Sequence, residues 1–177
     1  MVYSTLADLI IFSKRTMLKR VYIETTIPSF YHTLRRDPES IARMRWTRQW
    51  WRKYAGEYHL ISSLAVIDEL QKGVSGKTQE RLSLLDDVVM LPITEEIIEI
   101  AQIYIDKSIM PLDPAGDALH LAVASFHKAD VPLTWNCQHL ANVHKLDAIR
   151  RVNFQLGVAV PILATPLNYL SGAETDG

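Results

Sequence analysis

Four oxygen-bearing side chains stand where the sequence could build a catalytic site. Glu24 closes the first apolar run of strand type, and Asn136 closes a later run of the same kind. Glu69 lies on a predicted helix that follows the second run, and Asp117 lies near the start of another helix, where the helix dipole favours an anion. The sequence therefore offers three carboxylates and one amide for a shared site.

Carboxylates that converge must either take up protons or hold a cation. Two of them about 5 Å apart repel by roughly 3 kcal/mol at an effective dielectric constant of about 20. A set made of oxygen ligands favours Mg²⁺ or Mn²⁺, and such an ion can activate water and stabilise the charge that develops in phosphodiester cleavage. The spacing alone does not separate this site from the acids that any α/β protein carries at strand ends.

The elements that must position these side chains alternate between strand and helix. Strands are predicted over residues 21–23, 58–61, 88–91, 131–135 and 158–163. Helices are predicted over residues 43–54, 64–70, 77–85 and 139–150, from Thr94, and from Asp113 and Pro114 to residue 126. Ser62 and Ser63 are predicted to cap the helix that ends at Gly73. This order predicts a mostly parallel sheet covered on both faces, with ligands beyond the carboxyl ends of the strands.

The composition is that of an ordinary globular protein. The chain has 177 residues, of which 48% are hydrophobic and 22% are charged, and its formal net charge is −1. A global basic field for nucleic acid is therefore excluded, so an RNA partner needs a local patch. The single cysteine excludes an internal disulfide and favours a cytoplasmic location, and no apolar run is long enough to span a membrane.

Four segments carry a resemblance to a known family. They are VYIETTIPSFY from Val21, SSLAVIDEL from Ser62, GDALHLA from Gly116 and LTWNCQHLAN from Leu133. In this order they resemble the four motifs of PIN-domain nucleases, especially the VapC-type toxins of toxin–antitoxin modules, over roughly residues 18–170. The resemblance implies a three-layer α/β/α sandwich, a divalent metal held by an acidic cluster, and endonucleolytic cleavage of RNA. It also implies a small antitoxin as partner, and a homodimer.

The resemblance assigns a role to each of the four side chains. Glu24, Glu69, Asp117 and Asn136 match the family's four acidic positions in turn, and they would bind the metal and carry catalysis. The implied reaction is in-line attack of water on a phosphodiester, which leaves a 5′-phosphate and a 3′-hydroxyl. Three hydroxyls would hydrogen-bond phosphate or the water around the metal: those of Thr25, Thr26 and Thr134.

Two of these positions depart from the family pattern. The first acid is usually Asp, and Glu24 is one methylene longer, so a metal must lie farther from the strand end. Asn136 supplies a neutral oxygen where many members have Asp, so the cluster carries a charge of about −3 rather than −4. We therefore expect one firmly bound metal, with a second recruited only together with substrate phosphate.

Other residues at these places have simpler interpretations. Asp68 is expected to be solvated, and Asp113 is expected to cap a helix. His120, one helical turn after the third acid, is either a hydrogen-bonded structural histidine or a catalytic one. Cys137 and His139 do not make a nucleophile pair, because residues two apart in a turn rarely align and no third group orients them.

A basic segment is the one candidate surface for RNA. Its cations are Arg35, Arg36, Arg43, Arg45, Arg48, Arg52 and Lys53. Trp46, Trp50 and Tyr54 interleave with them at helical spacing, which is typical either of RNA stacking or of core and subunit contacts. The best candidates for RNA binding are Arg45, Arg48 and Arg52.

The leading hypothesis is a Mg²⁺- or Mn²⁺-dependent ribonuclease, the toxin of a type II toxin–antitoxin module. The alternative is a catalytically weak or inactive PIN-like module that binds RNA or a protein partner. A phosphohydrolase of the haloacid-dehalogenase type is excluded because no second Asp follows Glu24, and no Gly-x-Gly-x-x-Gly supports a dinucleotide enzyme. We expect an appendage over residues 1–16, the nuclease domain over 17–170 and a disordered tail over 171–177.

Overall fold

The fold is built on one parallel sheet. The computed structural model describes residues 18–110, 116–136 and 143–170. Its four strands are β1 (Arg20–Ile23), β2 (His59–Ser63), β3 (Val89–Leu91) and β4 (Val131–Leu133), in the order β3-β2-β1-β4. All pairs are parallel, with Tyr22 in register with Ile61 on one side and Pro132 on the other. The predicted α/β class with a mostly parallel sheet is confirmed.

Eight α-helices and one 3₁₀ turn surround this sheet in the described residues. The helices are α1 (Thr26–Tyr31), α2 (Pro38–Lys53), α3 (Leu64–Lys72), α4 (Thr78–Ser83), α5 (Glu95–Asp106), α6 (Asp117–Phe126), α7 (Val143–Leu156) and α8 (Pro166–Leu170), and the 3₁₀ turn is Ala55–Glu57. Helices α5, α6 and α7 pack together, and α2 packs on α1 and α8. The arrangement is a three-layer α/β/α sandwich.

Strand β1 lies at the centre because its side chains are apolar on both faces. Val21, Tyr22 and Ile23 are fully buried, as expected for a strand covered by helices on both sides. The chain leaves β1 at Glu24 and enters α1 two residues later, so the first acid is fixed between two short elements. This abrupt exit places Glu24 at the carboxyl edge of the sheet.

Helix α2 has a strong start signal. Asp37 accepts a hydrogen bond from the backbone N–H of Ser40 at 2.9 Å, and Pro38 occupies the first turn.

The aromatic residues of helix α2 belong to the core: Trp50 is fully buried, and Trp46 stacks on Trp135 with ring centroids 5.9 Å apart. Of the two interpretations of the stripe, the structure supports core packing.

One local prediction is wrong, and another is confirmed in position only. Residues 158–163 do not form a strand, because Pro161 offers no N–H and Ala159 donates to Ser125 of α6. The next residue, Ala164, makes an isolated bridge to Leu133. Ser63 occupies the N-cap position of α3, but neither serine caps the helix through its side chain. The Ser62 hydroxyl donates to the Ile23 carbonyl, and the Ser63 hydroxyl forms a hydrogen bond with the Tyr22 hydroxyl.

Several predictions fall on residues outside the described ranges. These are the appendage over 1–16, the tail over 171–177, the cap at Asp113, and the positions of Cys137 and His139. The division of the chain into an appendage, a domain and a tail stays a prediction. A search of the described residues finds no helix that is long and apolar enough to cross a membrane.

Candidate metal centre

The sequence-predicted site residues lie along the carboxyl edge of the parallel sheet. Glu24 and Thr134 directly follow β1 and β4, which are neighbours in the sheet. Glu69 is on α3, which continues directly from β2, and Asp117 is the first residue of α6. Parallel strands bring their carboxyl ends to the same edge, so residues far apart in sequence meet there.

Glu24 is a buried carboxylate held by hydroxyl groups. Its side chain is 4% exposed and accepts hydrogen bonds from the Thr26 N–H at 3.0 Å, the Thr134 hydroxyl at 2.8 Å and the Thr26 hydroxyl. Burial raises the pKa of Glu24 above its ordinary value, although the charge of His120 and these hydrogen bonds oppose the shift. The carboxylate is well oriented, and ionising it in this buried place is costly until a cation is near.

Glu69 forms an ion pair with His120. His120 Nε2 lies 3.2 Å from Glu69 Oε1, and the Thr25 hydroxyl donates to the other carboxylate oxygen. Burial alone would raise the pKa of Glu69, but the hydrogen bond and charge of His120 lower it overall. Burial alone would lower the pKa of His120, but the hydrogen bond with Glu69 and the charges of Glu24, Glu69 and Asp117 raise it.

A second hydrogen bond fixes the His120 ring from behind. His120 Nδ1 lies 2.8 Å from the Tyr22 hydroxyl, which lies 2.8 Å from the Ser63 hydroxyl, and all three side chains are buried. A charged imidazole donates from both nitrogens, so Tyr22 accepts from Nδ1–H and donates to Ser63. Metal-binding histidines usually donate their second N–H in this way, which sets the tautomer and the ring orientation.

Glu24, Glu69 and His120 form a group that could hold a metal ion. Each offers a ligand atom, and these atoms lie within 4.8 Å of one another. Opposite ligands of an octahedral Mg²⁺ stand about 4.2 Å apart, because each bond is about 2.1 Å long, so the group has the size of a coordination sphere. The raised pKa of Glu24 is a second sign of fit, since a cation would offset its charge.

Asp117 and Asn136 form a pair of their own on the same edge. The Asn136 amide donates to Asp117 Oδ1 at 2.6 Å, and the Asn136 backbone N–H donates to the Thr134 hydroxyl at 2.9 Å. Because Thr134 also donates to Glu24, one threonine joins the pair to the first acid. The structure thus brings the four predicted residues to one edge, in two groups. An aspartate at position 136 would face Asp117 with a like charge, whereas the asparagine stabilises it.

His120 is the residue whose role stayed open between a structural and a catalytic one in the sequence analysis. Its geometry puts it in the ligand group, while Asp117 and Asn136, expected as ligands, lie in the adjoining pair. The signal in the sequence was its spacing, since a residue three positions after Asp117 shares its helical face. Spacing could not show that Tyr22, from the centre of the sheet, would hold the ring.

The three predicted RNA-binding arginines do not share one environment. Arg45 and Arg52 are exposed on α2. Arg48 is half-buried, donates from Nε to the Tyr31 carbonyl at 2.9 Å and lies over the Tyr31 ring, so it holds α1 against α2. Arg43 likewise lies over the rings of Phe30 and Trp135 and pairs with Glu39.

Comparisons with known proteins identify the fold. No protein-family model matches the chain, and no curated protein matches its sequence. Among solved structures, the chain is similar to VapBC2 from Rickettsia felis bound to a DNA fragment from its promoter, with 16% identity and a TM-score of 0.53, over 82% of this chain and 98% of that one. It is also similar to FitAcB from Neisseria gonorrhoeae, with 11% identity and a TM-score of 0.50, over 83% and 98%.

Both neighbours are toxin–antitoxin complexes with VapC-type PIN domains. The chain has the PIN-domain fold. At sequence identities this low, the similarity shows the fold alone. The chemistry of this protein depends on the residues at the carboxyl edge of its own sheet. There the predicted acids Glu24 and Glu69 meet His120.

Proposed function

We propose that this protein is a metal-dependent endoribonuclease, the toxin of a type II toxin–antitoxin module. The observation that carries the proposal is the buried group of Glu24, Glu69 and His120 at the carboxyl edge of a PIN fold. When bound, a divalent ion would supply activation of water and stabilisation of charge on the attacked phosphate. In-line attack would leave a 5′-phosphate and a 3′-hydroxyl.

The chain's own residues would divide the work. Glu24, Glu69 and His120 would hold the ion, and Thr26 and Thr134 keep Glu24 in one orientation. Carboxylates alone suit Mg²⁺, and an added imidazole shifts the preference toward Mn²⁺. The ion is therefore Mg²⁺ or Mn²⁺, with Mn²⁺ bound more tightly.

The neighbouring pair would act on the reacting groups. Asp117, which accepts a hydrogen bond from the amide of Asn136, lies at the first turn of α6, and its charge contributes to the raised pKa of His120. It can accept a proton from water or take part in holding a second ion that arrives with phosphate. A small antitoxin partner, a homodimer and a cytoplasmic location belong to the same proposal, and the similarity to toxin–antitoxin complexes supports the antitoxin partner.

The test is metal-dependent cleavage of RNA by wild type and by Asp117→Ala. We expect the wild type to cleave with Mg²⁺ or Mn²⁺ and to stop in excess EDTA. The variant should be slower by at least about a hundredfold, which is roughly 2.7 kcal/mol of barrier. Asp68→Ala is the matched control, because Asp68 is an exposed acid next to Glu69 in sequence. Equal rates for wild type and Asp117→Ala would contradict the assignment.

A second candidate function rests on the ion pair and the hydrogen bond that the acids of the site already form with other side chains. His120 already neutralises Glu69, and Asn136 already binds Asp117, so the edge can be stable without an ion. A PIN-like module that binds RNA or a protein without cleaving would have this property. Metal titration separates the two functions: no stabilisation by Mn²⁺ and no cleavage would favour the inactive module.

A further inference from the structure

A second cavity lies beside the metal centre and shares a wall with it. Its volume is about 280 Å³, and its lining residues are Thr26, Ser29, Phe30, Thr33, Arg35 and Arg81. We call it the arginine pocket. Thr26 belongs to both places, since its hydroxyl donates to Glu24 while its side chain lines the pocket. A ligand in the pocket would therefore lie next to the first acid.

Two arginines from distant parts of the chain give the pocket its charge. Arg35 lies after α1 and Arg81 lies on α4, and neither forms an ion pair within the part of the chain that the structure describes. The acid closest in sequence, Glu80, pairs with Lys77 at 2.6 Å. The two guanidinium groups repel each other, and the attraction of Glu80 for Arg81 is weaker than this repulsion. Arg35 also interacts with the charge of Asp37.

Arg81 also has a buried donor without a partner. Among the described residues, its Nε atom is buried and makes no hydrogen bond. A buried N–H without an acceptor costs stability, so such a group in a native protein needs an explanation. Burial and the charge of Arg35 together lower the pKa of Arg81 from its ordinary value. An anionic oxygen in the pocket would relieve the repulsion between Arg35 and Arg81.

The surroundings extend this positive field. Burial lowers the pKa of His32 below its ordinary value, and the charges of Arg48, Lys77 and Arg81 lower it further, against Glu80. The acids and cations that face this region come from α2, α4 and the segment after α1, and cations predominate. The hydroxyls of Ser29 and Thr33 add neutral hydrogen-bonding groups to the wall.

We propose that the arginine pocket binds a backbone phosphate of the RNA strand, one step along the strand from the phosphate at the metal centre. This site deepens the proposed function and rests on RNA being the substrate. Arginine forks match phosphate oxygens in geometry and charge. The volume exceeds what a lone phosphate fills, and the shared Thr26 wall lets one strand reach both places.

The experiment measures RNA binding separately from cleavage. Anisotropy of a short fluorescent oligouridylate is followed in excess EDTA at several salt concentrations, for wild type, Arg35→Gln, Arg81→Gln and the double variant. We expect the double variant to bind about tenfold more weakly, with the slope of log K against log salt reduced by about 0.7, because one phosphate is no longer neutralised. Arg81→Lys should keep the slope and lose part of the affinity, since its charge remains but its fork is gone.

Two controls show whether a weaker binding of RNA comes from the arginine pocket itself. Lys107→Gln removes one exposed charge at the end of α5 and should leave affinity and slope nearly unchanged. Arg35 is exposed, so Arg35→Gln should fold even if Arg81→Gln does not, which thermal melting checks. An unchanged slope in Arg35→Gln and in a folded double variant would overturn the proposal. So would stabilisation by inorganic phosphate that depends on both arginines without any change in RNA binding.

The proposed function fails independently. RNA that binds through the arginine pocket but is never cleaved with Mg²⁺ or Mn²⁺ would support the pocket and contradict the nuclease. If the wild type cleaves RNA but all four proteins bind RNA with the same affinity and the same salt slope, the nuclease is supported and the role of the arginine pocket is contradicted.

Discussion

Two buried polar networks among the residues that the structure describes differ in charge. One joins Tyr104, Ser125 and Asn153 between α5, α6 and α7; the other joins Glu24, Glu69, His120 and Tyr22 at the carboxyl edge. In the first, Tyr104 donates to Asn153 Oδ1 at 2.6 Å, and the Asn153 amide donates to Ser125 and to the Ala159 carbonyl. Every member is neutral, and every polar group of Asn153 has a partner.

The charged network is built differently. It buries Glu24 at a pKa above the ordinary value and His120 at a raised pKa, so its protonation changes with conditions. In a neutral network, hydrogen bonds alone offset the free-energy cost of removing the polar groups from water. In a charged network, the stability also depends on bound protons and cations. The comparison teaches that the neutral network serves folding alone, whereas the charged network also has a group of side chains that could hold a metal ion.

The largest expected effect is on the neutral network. Asn153→Ala leaves the buried Tyr104 hydroxyl without its acceptor and removes two donated hydrogen bonds, so we expect a loss of about 3 kcal/mol in the free energy of unfolding. Thermal melting should show a Tm lower by roughly 6–12 °C. The neighbouring Phe154→Ala, at a side chain that is 86% exposed, is the control. If Mn²⁺ stabilised Asn153→Ala less than it stabilises the wild type, the two networks would not be separate in function.

The second effect has the opposite sign. Glu24→Gln keeps an oxygen for Thr26 and Thr134 but removes a buried charge, whose raised pKa means that ionisation costs stability at neutral pH. In EDTA we expect the Tm to rise by about 2–4 °C, for roughly 1 kcal/mol. Added Mn²⁺ should stabilise wild type by about 2.7 kcal/mol at a hundred times its Kd and leave the variant unchanged.

Calorimetry or melting in both conditions checks this prediction. Glu99→Gln, at an exposed acid on α5, should show neither change. If Glu24→Gln were destabilised in EDTA and still stabilised by Mn²⁺, Glu24 would be a structural hydrogen-bond acceptor like Asn153.

The smallest effect is on the pH dependence of the metal-free protein. The folded pKa of His120 lies above its ordinary 6.5, so its pairing with Glu69 contributes stability that is complete below pH 6.5 and is lost as the pH rises through the folded value. We expect the free energy of unfolding to decline by about 1.4 kcal/mol for each unit by which the folded pKa exceeds 6.5. Thermal melting at a series of pH values above 6.5 measures this decline. His120→Gln should abolish the decline.

A histidine with the opposite shift is the control for that series. The pKa of His32 lies below its ordinary value, so His32 destabilises the fold only as the pH falls below 6.5. His32→Gln should therefore leave the decline above pH 6.5 intact. A decline that persists in His120→Gln would mean that another group titrates there.

Much of this architecture could be predicted from the sequence. Apolar runs around Val21 and Ile61, separated by helical periods, predict parallel strands, and parallel strands place Glu24 and Glu69 at one edge. Asp37 and Pro38 mark the start of α2 in the sequence, although the aromatic stripe alone placed it later.

The remainder depended on contacts between distant residues. Tyr22 fixes His120, and Arg35, in the segment after α1, lies near Arg81 of α4. Both contacts are properties of packing that no local sequence period predicts. The failed strand at residues 158–163 has the same cause, since the backbone of Ala159 binds α6 rather than a strand. Local pattern predicts elements, and tertiary hydrogen bonds decide their partners.

The bridge at Ala164 has a consequence for assembly. Ile162 and Ala164 donate to Asp130 and Pro132, and Thr134 donates to Ala164, so the outer side of β4 is already occupied by the chain itself. A guest peptide that binds by extending a sheet needs unoccupied backbone groups at its border. Among the described residues, the other edge of the sheet is the three-residue strand β3, so a peptide that extends the sheet would have to bind there.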